Sequence, residues 1–217
     1  MEDNLIKLAL TSKASTRKNS LVLSQEKWAN DLVTKFGPAE NIVSLFCANN
    51  QYLCEQNLKA TYMGSSPTLV RLRLAYGQGT AEAWLMGHIQ DLYVFENVNY
   101  EEKQTVYQIE QTARAILTNY SYLNMAEVML FFSRFKGGRY GKPYGNLSGR
   151  EINSAIALFL KERETEISSL ENENKTLKLK ERAEYEKKYA ISYEEWVKLK
   201  EERSKNNTDG GNLPQKI

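Results

Sequence analysis

The chain has 217 residues, with 29 Lys and Arg, 27 Asp and Glu, one His, two Cys, a formal charge of +2 and 41% hydrophobic residues. That length holds one ordinary domain with an appendage, or two small ones, and the apolar content excludes a chain that is disordered throughout. Two Cys cannot build a disulfide framework, and no apolar run approaches the about 18 residues of a membrane span, so a cytoplasmic setting with no membrane partner is expected.

In chain order, residues 1–20 are rich in Ser, Thr and Lys and read as a flexible N-terminal segment. A helical globular domain is expected over 21–160, a charged helical tail over 161–204 and a disordered C-terminus over 205–217. Ser24 is the expected cap of a helix through about Phe36, with Trp28, Leu32, Val33 and Phe36 on one face. Gly37 and Pro38 separate it from a second helix carrying Ile42, Val43, Leu45, Phe46 and Leu53. Ser66 and Pro67 open the run TLVRLRLAY, which Gly77 closes. Thr80 starts the next helix, with Ala83, Trp84, Ile89 and Leu92 as core positions. From Gln104, the residues Val106, Ile109, Ala113, Ile116, Leu117 and Tyr120 recur at helical spacing.

Asn124 with Glu127 forms a capping box for a helix from Met125 to about Lys136, apolar nearly all round and therefore buried on several sides. A Gly-rich turn follows, with room for no more than a small β-bridge. Ser148 with Glu151 forms a second capping box, opening the longest helical stretch. In it Leu160, Ile167 and Asn174 share one heptad position, and Ile156, Arg163, Leu170 and Leu177 share another. This is about two good heptads, fewer than the ~3–4 of a secure coiled coil, so a solvated single helix and a homodimer through this C-terminal helix both stay open. Tyr193, Trp196, Val197 and Leu199 mark a short terminal helix that docks on something. Strand signals are weak throughout. The expected fold class is all-α: a compact multi-helix domain, then a long charged C-terminal helix with a short coiled coil as one reading.

The usual catalytic constellations are missing, and no enzyme, cofactor or metal is expected. His88 is the only histidine, and Cys47 and Cys54 read as small core residues, too few for a zinc site with its about four ligands. The string from Gly77 to Glu82 lacks the third glycine of a dinucleotide fingerprint. The Gly-Lys pair at Gly141 and Lys142 has Lys136 where a P-loop needs Gly, and Pro143 where it needs Ser or Thr.

The charge is unevenly spread: residues 1–127 net −2, residues 128–150 net +5 with no acid, and residues 151–217 net −1. Within FFSRFKGGRYGKPYG (131–145) stand four cations, five aromatics and four glycines. Arg134, Lys136, Arg139, Lys142 and Arg150 suit phosphate contact, and Tyr140 and Tyr144 suit base stacking, so single-stranded DNA is an expected ligand. The competing reading has the aromatics pinning the loop to the body and the cations solvated. A third has the loop facing an acidic protein partner.

The run YSYLNMAEVMLFFSRFKGGRYGKPYGNLSGREINSAIALFLKERE resembles an uncharacterised family of Bacteroides-type bacteria and their phages and mobile elements, with the pattern FFxRFKxGRYGxFYG. The resemblance covers about residues 65–165. It departs at Pro143, where an aromatic is usual, and at Leu147-Ser148-Gly149, where the family has an Asp-Pro pair. It carries no established activity and implies an accessory protein of mobile-element replication. The layout is also similar in outline to phage helicase loaders and replisome organisers, which implies a replicative helicase or another replication protein as partner. The leading expectation is a non-enzymatic, nucleic-acid-binding accessory protein of phage or mobile-element DNA metabolism. The alternative is a protein–protein adaptor or virion-associated protein with no nucleic-acid contact.

Overall fold

The structure, a computed structural model, describes residues 22–97, 103–141, 147–190 and 192–208. The segment 1–20 and residues 209–217 of the expected C-terminal segment lie outside the described residues. All regular elements among the described residues are helices, and the one β contact is a bridge between Thr68 and Asn124.

Helix α1 spans 22–36, so Ser24 lies within it rather than at its cap. Its expected apolar face is split: Leu32 is buried, whereas Trp28 and Val33 are each 43% exposed. Gly37, at φ +75°, ends it, a left-handed backbone that glycine adopts without strain. The stretch expected as one second helix is broken into α2 (Ala39–Leu45), a 3-10 turn (Ala48–Asn50), α3 (Gln51–Gln56) and α4 (Leu58–Met63). Two asparagines break it by hydrogen-bonding to the nearby backbone. Asn50 Nδ2 donates to the Leu45 carbonyl at 3.1 Å, and Asn57 Oδ1 accepts from the Ala60 N–H at 2.9 Å. Cys47 and Cys54 therefore do not share a helix. Cys54 is buried, and that burial pushes its thiol up to about 11.

The next helices are α5 (Leu69–Tyr76), α6 (Gln78–Phe95), α7 (Lys103–Asn119) and α8 (Met125–Lys136). Thr68, not Ser66, caps α5, its Oγ1 accepting from the Arg71 N–H. Ser66 Oγ instead accepts from the Ala126 N–H at 3.1 Å, in the first turn of α8. The bridge joins these two helix starts: Leu69 N–H donates to the Leu123 carbonyl, and Met125 N–H to the Pro67 carbonyl, both at 2.9 Å. Helix α6 starts ahead of Thr80. It buries Trp84, Ile89 and Leu92 and leaves Ala83 exposed. Helix α7 buries Ile109, Ala113, Ile116 and Leu117, with Val106 exposed.

The expected capping box opens α8. Asn124 Oδ1 accepts from the Glu127 N–H at 2.9 Å, and Glu127 Oε2 accepts from the Asn124 N–H at 2.8 Å. As its all-round apolar pattern requires, α8 is buried along nearly its whole length and forms the centre of the core. Phe131 meets Phe132, Phe135 and Phe159 with ring centroids 5.1, 5.9 and 5.8 Å apart. Each such buried ring is worth about 1.5–3 kcal/mol.

The second capping box opens α9 (Gly149–Tyr189), Ser148 N–H donating to Glu151 Oε2 at 2.8 Å. Its first turns bury Ile152, Ala155, Ile156 and Phe159. The chain divides into two units between Ile167 and Ser168, with α9 running through the division. The second unit holds the remainder of α9 and α10 (Tyr193–Thr208). A Ser192–Glu195 capping box starts α10, which continues past the expected helical limit at residue 204. Among the described side chains of the second unit, none is buried.

Candidate functional site

The basic window begins in the last turn of α8. Arg134 is expected at the surface, yet its side chain is only 3% exposed. Nε meets Glu55 Oε2 at 3.0 Å, Nη1 meets Glu162 Oε2 at 3.3 Å and Nη2 meets Glu166 Oε1 at 3.0 Å. The Tyr62 hydroxyl joins them, donating to Glu166 Oε2 at 2.6 Å. Burial lowers the guanidinium's pKa, but hydrogen bonds to Glu166 and Glu55 outweigh it and leave the value raised. Burial and the bond to Glu166 push the Tyr62 hydroxyl well up. Arg134 is thus an interior cation with its charge already met. This corrects its expected role as a phosphate contact, because a buried, triply paired guanidinium offers nothing to a ligand in solvent.

Arg139 lies on the same carboxylates: Nε meets Glu162 Oε1 at 3.0 Å, and Nη2 meets Glu166 Oε1 at 3.6 Å. It remains 45% exposed. Tyr140 folds inward, its ring stacked on Phe131 at 5.7 Å and its hydroxyl donating to Glu162 Oε2 at 3.2 Å. Burial, then the Glu162 charge, hold that hydroxyl well above its ordinary pKa. The ring expected to stack on bases therefore pins the loop to the body. Lys136 pairs with Asp91 and lies 5.9 Å from the Phe95 ring centroid. Arg150 is exposed in the first turn of α9. Lys142 and Tyr144 lie outside the described residues.

Around Arg134 the sum is two guanidiniums against the three carboxylates of Glu55, Glu162 and Glu166. Three cations of the acid-free window, Arg134, Lys136 and Arg139, are met by acids from α3, α6 and α9. Sequence reading missed these partners. Glu162 and Glu166 could have been found: they follow Phe159 by three and seven residues and so continue the inward stripe of α9. Asp91 carries the same signal, seven residues after Trp84 and three after His88 on α6, whereas Glu55 lies on a short helix with no such stripe.

Next to this network a second ion pair joins α8 to α9. Arg163 Nε meets the buried Glu127 Oε1 at 2.8 Å. Burial raises the Glu127 pKa despite the opposing Asn124 N–H and Arg163.

His88 is buried between Trp84 and Phe132, with ring centroids at 4.5 and 5.6 Å. Its Nε2 lies 3.0 Å from the Phe46 carbonyl, which can only accept, so Nε2 carries the proton and Nδ1 accepts from Gln51 Nε2 at 2.6 Å. Burial lowers its pKa to about 4. This is a structural imidazole with both nitrogens engaged. Among the described residues no group of three or more His, Cys, Asp or Glu is arranged to hold a metal ion, and no helix is long and apolar enough to cross a membrane.

Residues 103–207 match a family of unknown function, DUF6633. The match starts with α7 and takes in α8, the basic window, α9 and nearly all of α10. The window and the helical tail therefore fall within one matched stretch. No curated protein matches the chain, and no solved structure does.

Proposed function

We propose that this chain is a non-enzymatic helical adaptor that engages a protein partner through its second unit. The observation that carries the reading is exposed apolar surface with no core of its own. Leu177, Leu179, Tyr185, Tyr189, Tyr193, Trp196 and Leu199 are all exposed on α9 and α10. The Tyr185 and Tyr189 rings lie 4.5 Å apart, and those of Tyr193 and Trp196 lie 6.0 Å apart. Exposed Trp and Tyr on a short capped helix match the anchors of helix-in-groove recognition, whose gain is burial of those rings. The resemblance to a family of phages and mobile elements supports a setting in their DNA metabolism, with a helicase or another replication protein as partner.

The test is affinity capture of the full-length protein from its own host cells, in high salt after nuclease treatment, beside the Tyr193→Glu, Trp196→Glu double variant. A protein retained by the native chain and lost by the variant is the expected result. Equal recovery by both, or loss of all partners on nuclease treatment, overturns the reading.

A second reading, nucleic-acid binding by the loop, is supported by Gly138 and Gly141. Both have left-handed φ, and among the described residues nothing lies within 4 Å of a Cβ built on either, which leaves room for an approaching phosphate. With Arg134 and Lys136 engaged internally, only Arg139, Lys142 and Arg150 are left to it. Three contacts to a single strand give a slope of log K against log salt of about −2. Titrating a labelled oligonucleotide at several salt concentrations measures it, and binding unchanged in an Arg139→Glu, Arg150→Glu variant removes this reading.

A further inference from the structure

We propose that the cleft between α1 and α5 binds a phosphate-bearing planar aromatic group, one nucleotide unit, with Trp28 as the stacking platform. The inference goes beyond the adaptor reading and uses no residue of the second unit or of the basic window.

One wall comes from α1, where Trp28, Asp31 and Lys35 recur at three- and four-residue spacing and line the cleft together. Leu32, buried on the same stripe, is its floor. The opposite wall is the turn at Gly64, Ser65 and Ser66, followed by Arg71 in the first turns of α5. The cavity holds about 260 Å³. That is just below the ~300–1,000 Å³ typical of sites for drug-sized ligands, and suits a single nucleotide unit.

The chemistry of the walls selects the ligand. The Arg71 guanidinium lies 5.2 Å from the Trp28 ring centroid, over its face. The indole is nevertheless 43% exposed, so part of the ring remains open to a ligand. Lys35 Nζ donates to Ser65 Oγ at 2.7 Å, and the Ala126 N–H donates to Ser66 Oγ at 3.1 Å. Each serine oxygen is thus used as an acceptor, which leaves its hydroxyl proton to donate to something else. Two cations and two hydroxyl donors converge on one cleft, against the single carboxylate of Asp31. An oxyanion satisfies such a donor set, and a base satisfies the indole through stacking. Asp31 has only acceptors to offer, which fit the amino group of a base or a sugar hydroxyl. A bare inorganic anion uses neither Trp28 nor Asp31.

Free nucleotide and single-stranded nucleic acid share this chemistry, and the test separates them. Full-length protein is titrated with a fluorescently labelled ten-nucleotide single strand at low salt, then with unlabelled AMP and inorganic phosphate as competitors. Saturable binding is expected, weakened at least tenfold in Trp28→Ala and in Arg71→Glu. Arg71→Lys keeps the charge but loses the planar face, so it falls between native and Arg71→Glu. Strand binding kept in Trp28→Ala and lost in the Arg139→Glu, Arg150→Glu variant assigns the strand to the loop and overturns this proposal, which sets its fate apart from that of the loop reading. Competition by AMP but not by phosphate identifies a mononucleotide site. Strand binding that AMP does not displace identifies a strand site. No saturable binding of either probe, equal binding by native and Arg71→Glu protein, or displacement by phosphate as effective as by AMP overturns the proposal. Circular dichroism of each variant beside the native chain verifies that loss of binding is not loss of fold.

Discussion

Arg134 sets the character of the basic window. Breaking a fully buried ion pair costs about 3–5 kcal/mol, and the low end applies here because Glu55, Glu162 and Glu166 are 44, 28 and 22% exposed. Arg134→Ala leaves Glu55, Glu162 and Glu166 facing one another, with only Arg139 to offset them. We expect a loss at that low end by urea denaturation. Arg139→Ala, on the half-exposed rim, is expected to cost under about 1 kcal/mol. A surface-binding role for Arg134 would instead predict a variant as stable as the native chain.

His88 supplies a pH dependence. Burial lowers its pKa to about 4 in the folded chain, against the ordinary 6.5 of an exposed imidazole. Between those values the unfolded chain binds a proton that the native chain does not, so stability falls as pH drops from about 6.5 to about 4. The full difference is about 3 kcal/mol. Glu127, whose pKa burial raises, also takes up a proton as pH falls, so the comparison is with His88→Gln, which has no imidazole proton to take up. The native chain is expected to lose more stability than the variant between pH 7 and pH 4.5, and parallel curves would show that His88 is not the cause.

At the scale of elements, the start of α9 is placed by close approach. A Cβ on Gly149 would stand 2.2 Å from Thr112 Oγ1 of α7. Thr112 is buried, and its hydroxyl donates to the Gln108 carbonyl at 2.7 Å, so it has little freedom to yield. Gly149→Ala is expected to cost about 1–3 kcal/mol through overpacking. Thr112→Ala should relieve part of that cost. A double-mutant cycle by denaturation reads the coupling, and strictly additive effects would separate the two sites.

Further along α9, Ile167, Leu170 and Asn174 are partly covered and Leu177 is 52% exposed. These are the heptad positions of the expected coiled coil. Light scattering on the full-length chain tests it. A coiled-coil dimer requires twice the monomer mass at micromolar concentration, returning to monomer in Leu170→Glu, Leu177→Glu. A monomer mass for the native chain leaves α9 as a single helix carried by its charged pairs, such as Arg182 with Glu186 at 2.7 Å.

At the scale of the whole molecule, much of the architecture was legible in the sequence. The two capping boxes, Asn124 with Glu127 and Ser148 with Glu151, mark the starts of α8 and α9 by a three-residue spacing alone. The all-round apolar pattern of residues 125–135 marked the centre of the core. These signals act over three or four residues, so a linear reading captures them. The second helix failed because Asn50 and Asn57 compete locally for backbone groups, which an apolar pattern does not register. The split face of α1 was equally hidden. The 3.6-residue period of Trp28, Leu32 and Val33 says that they neighbour one another, but not that Trp28 rims a cleft opposite Arg71.

The candidate site divides along the same line. Composition by itself determined that one short window carries the excess positive charge and that its aromatics are interleaved with cations. Whether that charge is free was decided only by tertiary structure. Arg134 meets Glu55 from 79 residues away and Glu162 from 28, and Lys136 meets Asp91 from 45. Coulomb attraction in a partly desolvated setting acts on distance in space, and partners separated by whole helices leave no mark in the local sequence. Helix type and helix ends follow from neighbours along the chain. Charge balance, and with it the availability of a surface for a ligand, follows from which helices pack together.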